Sequence, residues 1–132
     1  MTSASEQGVS GGAPRSHRDL KVWQIALDMT ETLYRTTADW PKSEQYGLVN
    51  QVRRAAVSVP ANIAEWAGRR SLGEFMHFVG IARGSLAELE TLLTIARRLE
   101  YIEEPPFRAI MDDLFELGRM TTGLMKSLGD RR

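Results

Sequence analysis

Apolar residues recur at steps of three and four along four separate stretches of the chain, the spacing that lays them on one face of an α-helix. The first stretch predicts a helix from Arg18 or Asp19, whose carboxylate suits the positive end of the helix dipole, to about Thr37. Leu20, Trp23, Leu27 and Tyr34 form one stripe, joined through Ala26 and Thr30, and Val22, Ile25, Met29 and Leu33 form a second beside it. The apolar arc is therefore wider than one bundle seam needs, with Trp23 expected in the core and Val22, Ile25 and Met29 left over for a subunit contact. Asp39, Trp40 and Pro41 break the helix, because a residue before proline disfavours the helical region. Trp40 is expected to cap one end of the molecule.

Tyr46 to Arg70 reads as the second helix, with Ser43 as its cap, Glu44 in its first turn and Gly68 near its end. Val49, Val52, Ala56, Val59, Ile63 and Trp66 make its apolar stripe. Pro60 sits inside it, removing the donor to the Ala56 carbonyl and crowding that oxygen, at about 3 kcal/mol in an ordinary helix interior. A kink at Pro60 is expected, with the Asn62 amide compensating a freed carbonyl.

Ser71, followed three residues later by Glu74, has capping-box spacing and opens a third helix near Leu72. It runs to about Leu99 on the seam Leu72, Phe75, Val79, Ala82, Leu86, Leu89, Leu93 and Ala96, a coiled-coil-like alternation. Pro105 and Pro106 suit the first turn of a fourth helix, which carries Phe107, Ile110, Met111, Leu114, Leu117, Thr121, Leu124 and Leu128 on one face. Four long helices with short connections predict an all-α fold, an antiparallel up-down four-helix bundle with a proline-kinked second helix. The bundle spans 18–128, between a disordered N-terminal arm (1–17) and a frayed tail (129–132).

At 132 residues the chain suffices for one core. It has no cysteine, so disulfides and thiolate metal sites are excluded. His17 and His77 stand in different segments with no metal-binding motif, and neither a metal nor a cofactor is expected. The first eighteen residues lack the apolar core of a signal peptide, and no run approaches a membrane span, which points to a cytoplasmic protein with no membrane partner. Arg15, His17 and Arg18 are candidates for touching a partner.

Charge balances at 17 basic against 17 acidic residues, so no overall field argues for nucleic acid. Its distribution is uneven: from Lys42 to Arg70 five basic residues outweigh two acidic ones, and from Glu103 to Lys126 five acidic outweigh three basic. Arg53 and Arg54 point about 100° apart on a helix. One reading makes them solvated or salt-bridged; the other joins one of them with Arg69, Arg70 and Arg83 in a basic surface that symmetry would repeat. Trp66, beside Arg69 and Arg70, is either partly buried at a seam or an aromatic platform for a base. Gly80 and Gly84, one turn apart in the third helix, point to close packing inside the bundle or between subunits, or to a ligand. Glu65, Glu88 and Glu90 are expected to pair with arginines of adjacent helices, and Asp112 and Asp113 to be solvated. His77 is expected half-exposed or at an interface, and no catalytic constellation can be assembled by motif, so an enzyme is not expected.

In order along the chain, DLKVWQIALDMTETLY, YGLVNQVRRAAVSVPANIAE and EFMHFVGIARGSLAELETLLTIARRLEYI resemble the four-helix-bundle family of proteins encoded in intervening sequences of bacterial 23S ribosomal RNA genes. Trp66 stands where the family pattern has glycine. The resemblance implies a homo-oligomer, specifically a ring of five, and similar accessory proteins of diversity-generating retroelements bind nucleic acid and a reverse transcriptase. The expected function is a non-enzymatic pentameric bundle that binds RNA or DNA through Arg53, Arg54, Trp66, Arg69 and Arg70, with subunit contacts at Val22, Ile25, Met29, Pro60, Gly80 and Gly84. The alternative is an adaptor for a protein partner such as a reverse transcriptase.

Overall fold

The computed structural model describes residue 17, residues 20–69 and residues 71–129. The start of the first helix at Arg18 or Asp19, nearly all of the arm with Arg15, the cation Arg70 and the end of the tail lie outside the described residues. His17 is described, and its ring meets Trp23 edge-on at 4.9 Å. Four helices follow: α1 (Lys21–Thr37), α2 (Leu48–Ala67), α3 (Leu72–Arg98) and α4 (Glu104–Gly129), with a short 3-10 turn at Lys42–Glu44 before α2. None is long and apolar enough to cross a membrane.

The helix ends follow from local chemistry. Ser71 Oγ accepts the Glu74 amide at 3.1 Å, as its spacing predicts. Ser43 does not cap α2; Glu44 does so from the preceding 3-10 turn, its Oε1 accepting the Leu48 amide at 3.1 Å. The other Glu44 oxygen accepts the Tyr101 hydroxyl at 2.9 Å, which ties the start of α2 to the α3–α4 connection and raises the Tyr101 pKa. The end of α3 is a Schellman motif: the Tyr101 amide bonds the Ala96 carbonyl and the Glu100 amide the Arg97 carbonyl. Its left-handed position, φ 64°, is held by Glu100 where glycine is usual.

The helices pack in ring order, α1 on α2, α2 on α3, α3 on α4 and α4 back on α1, with α2–α3 the most extensive contact. Contacting pairs run in opposite chain order along neighbouring helices: Arg53 reaches Thr37 and Ala56 reaches Thr30, while Ser58 meets Ser85 and Trp66 meets Phe75. The predicted stripe of α2 is buried throughout, as is the α3 seam from Val79 to Ala96. In α4, Ile110, Met111, Leu114, Leu117 and Thr121 are buried.

The expected allocation of stripes in α1 holds only in part: Leu20 and Trp23 are partly buried against the core, as is Ile25. Val22, Ala26, Met29 and Leu33 are at most 3% exposed and form the core, while Leu27 and Tyr34 are 40% and 42% exposed. Two stripes of equal length lie side by side, and polar ties to α2 accompany the rotation the helix adopts. Thr30 Oγ1 lies 3.1 Å from the Ala56 carbonyl and 2.8 Å from its own Ala26 carbonyl, two acceptors for one hydroxyl proton. Ala56 is the residue whose carbonyl Pro60 leaves without its helical donor, so α1 supplies what the proline removes. Asn62 does not have that role: its Nδ2 donates to the Ser58 carbonyl at 2.8 Å and to Ser58 Oγ at 3.0 Å, and Ser85 Oγ donates to Ser58 Oγ from α3 at 2.8 Å. Helix α2 continues through Pro60 as one element.

Candidate nucleic-acid and subunit interfaces

The four described residues among those expected to bind nucleic acid take four different environments. Arg53 is half-buried at the α1–α2 seam. Its Nε donates to Thr37 Oγ1 at 2.9 Å, a second guanidinium nitrogen donates to the Tyr34 carbonyl at 3.0 Å, and the guanidinium lies 4.6 Å from the centre of the Tyr34 ring. Thr37, itself buried, donates its hydroxyl to the Leu33 carbonyl at 2.8 Å. Arg53 thus satisfies backbone and hydroxyl groups at the end of α1, with two of its donors committed within the chain. Arg54, one residue on, is exposed and forms no hydrogen bond or ion pair among the described residues.

Trp66 is 3% exposed and meets Phe75 edge-on at 5.7 Å, so it is a core residue and no platform for a base. The indole lies in the α2–α3 seam, and burial of so large an apolar ring outweighs exposure beside cations. Arg69 is exposed but paired: Nε donates to the Glu65 carbonyl at 3.0 Å, the guanidinium bridges the Glu65 carboxylate, and the cation lies 5.1 Å from the Phe78 ring centre. Fifteen residues separate Arg54 from Arg69, roughly 20 Å along a helix at about 1.5 Å per residue, so the two do not form one cluster within a subunit.

The expected subunit interface is likewise redistributed. Val22, Met29 and Pro60 are buried in the chain's own core and cannot meet a second copy, while Ile25 is half-buried against that core. Gly80 and Gly84 are exposed, and a Cβ built on either meets nothing within 4 Å. Close packing inside the bundle therefore does not account for them. The residues that pattern reading missed are the exposed apolar ones: Ile81 (39%) and Ile95 (42%) on α3, Val57 (44%) on α2 and Phe115 (45%) on α4. A signal for two of them was present, since Ile81 and Ile95 each stand two residues after a seam position and hence about 200° round the helix from it.

A shallow groove of about 210 Å³ runs between α3 and α4, lined by Arg83, Leu86, Ala87, Glu90, Leu114, Phe115 and Gly118. Arg83 touches Met125 Sδ at 3.3 Å, and neither Arg83 nor Glu90 forms an ion pair among the described residues. Glu88 is also without an ion pair there, contrary to expectation, and Glu65 pairs within its own helix end. Asp112 and Asp113 are exposed, as solvated residues should be, yet Asp113 is held above the usual carboxylate range by partial loss of solvent and by the neighbouring Asp112 and Asp28 carboxylates. Glu104, by contrast, is held below that range by hydrogen bonds from Arg108 and Arg97. His77 is exposed and meets the Phe78 ring edge-on at 5.0 Å.

Comparison with known proteins accords with this fold. A Bacteroides thetaiotaomicron protein of unknown function, from the S23 ribosomal protein family, has a crystal structure similar to this chain with a TM-score of 0.72. The likeness covers 80% of this chain and 98% of that one at 23% sequence identity, and it speaks to the fold alone. No curated protein matches the sequence. The sequence model for the 23S rRNA-intervening sequence proteins matches residues 18–123, the whole bundle short of the end of α4. The chain belongs to the 23S rRNA-intervening sequence protein family.

Proposed function

We propose that the protein is a non-enzymatic, self-assembling helical bundle whose subunits join through the outward face of α3. One observation carries this reading: two glycines interrupt the middle of a 27-residue helix, each at about 1 kcal/mol relative to alanine, with open space above both. Nothing among the described residues approaches them. The close approach of another helix gives them a purpose, and the exposed Ile81 beside them supplies apolar area for the same contact. Five subunits is the stoichiometry that the family resemblance implies, and the proposal adopts it.

Gly80→Ala and Gly84→Ala test the reading, because the two effects of alanine separate. As a helix former it should raise the thermal stability of the isolated subunit, while the added methyl groups should weaken assembly measured by sedimentation velocity. Alanine variants that gain stability and assemble like the native chain would remove this face from the interface.

Nucleic-acid binding belongs to the proposal in a reduced form. Arg54 is the cation best placed for it, exposed and free of ion pairs among the described residues, and an assembly would present it once per subunit. A single arginine gives little affinity; repeated copies add through multivalency. Binding of structured RNA should then weaken with added salt, and Arg54→Glu should weaken it at every salt concentration and reduce the slope. An affinity unchanged by that substitution would take Arg54 out of the reading.

A further inference from the structure

Resting on the self-assembly reading, we infer that the occupant of the α3–α4 groove is helix α1 of a second copy of this chain. Three observations converge. First, α1 presents a ridge: Leu27 and Tyr34, 40% and 42% exposed, lie seven residues apart and thus on one line, with Glu31 between them. Second, the shallow groove beside the α3 glycines is lined by the buried Leu86 and Leu114 and by the half-exposed Phe115. A ridge and a groove on one chain are complementary shapes.

Third, the charges match in sign and order. Arg83 and Glu90 stand on the groove without ion-pair partners among the described residues, whereas Glu31 and Arg35 pair only with each other in the exposed ridge. With α1 of the second copy parallel to α3, Glu31 faces Arg83 and Arg35 faces Glu90. The difference in spacing, seven residues against four or about 4–5 Å along the axis, is within the reach of these long side chains. In this register Leu27 falls over Gly80 and Tyr34 over Ala87, so the ridge comes closest where α3 has no side chain or only a methyl group. The open space above the glycines and the ridge on α1 are then two halves of one contact.

Ridge and groove are different patches, so the contact is heterologous: each subunit offers its ridge to one neighbour and its groove to the other, and the assembly grows until it closes. This geometry has a signature that a symmetric dimer lacks. Leu27→Asp spoils only the ridge and Phe115→Asp only the groove; both positions are partly solvent-exposed, and circular dichroism checks that each variant is helical. Each alone should sediment as a monomer at concentrations where the native chain is assembled. Mixed in equal amounts, they should form a one-to-one heterodimer that grows no further, because one intact ridge meets one intact groove.

If either substitution disturbs folding, the surface pair replaces it: Glu31→Arg or Arg83→Glu should each weaken assembly, and both together in one chain should restore it. A native chain that is monomeric throughout would overturn the self-assembly reading itself. A native chain that assembles while both aspartate variants assemble equally well, or variants that stay monomeric when mixed, would overturn the ridge-in-groove pairing and leave self-assembly standing.

Discussion

Arg53 and Arg54 show how far one position along a helix can separate two identical side chains. Their sequence context is nearly the same, yet Arg53 is held by Thr37 and Tyr34 while Arg54 is exposed and unpaired among the described residues. That they point in different directions is legible from helix geometry; which one turns inward is not, because it depends on where Thr37 lies across the seam. Trp66 carries the same lesson. Its place on the apolar stripe is a sufficient reason for burial, and the flanking arginines do not outweigh it. Glu100 is the residue where sequence and conformation disagree most plainly. Its φ of 64° places a side chain in the left-handed region, at the Schellman position where glycine carries no Cβ penalty. Glu100→Gly should therefore stabilise the fold by about 1 kcal/mol, read as a higher midpoint in urea denaturation with an unchanged slope. A lower midpoint would mean that the carboxylate does more at the end of α3 than its backbone strain takes away.

At the scale of the element, α3 was the most legible helix and α1 the least. The cap at Ser71 and the eight-residue seam leave α3 a single rotation that buries its apolar face, whereas α1 offers two apolar stripes and needs a partner to choose between them. Polar groups tie the chosen rotation to α2: Arg53 reaches Thr37, and Thr30 reaches Ala56. Pro60 ties this choice to α2, because the carbonyl that Thr30 meets is the one the proline leaves without a donor. The coupling is measurable with a double-mutant cycle. Thr30→Val keeps the shape but removes the hydroxyl, and should destabilise the native chain by about 1–2 kcal/mol by leaving the Ala56 carbonyl unsatisfied. In a Pro60→Ala background the backbone amide of residue 60 can serve that carbonyl, and the same substitution should be felt much less. Equal losses in the two backgrounds would show that Thr30 does not compensate for the proline.

For the whole molecule, the four-helix architecture follows from periodicity, caps and short connections, and the family assignment agrees with it. What the pattern of apolar residues could not distinguish is a side chain buried by its own chain from one left over for a neighbour. Val22 and Met29 looked surplus and are core; Leu27, Ile81 and Phe115 are the surplus that remains on the surface. The difference is one of three-dimensional supply: a ring of four helices buries one stripe from each, and any second stripe stays outside. Two glycines with open space above them among the described residues, and the exposed Leu27, Ile81 and Phe115, are the features on which the proposed self-association rests. Sedimentation velocity of the native full-length chain across a wide concentration range tests this most directly. The account predicts a species several times the monomer mass that persists on dilution and gives way to monomer only at the lowest concentrations; a single monomeric boundary at every concentration would contradict it.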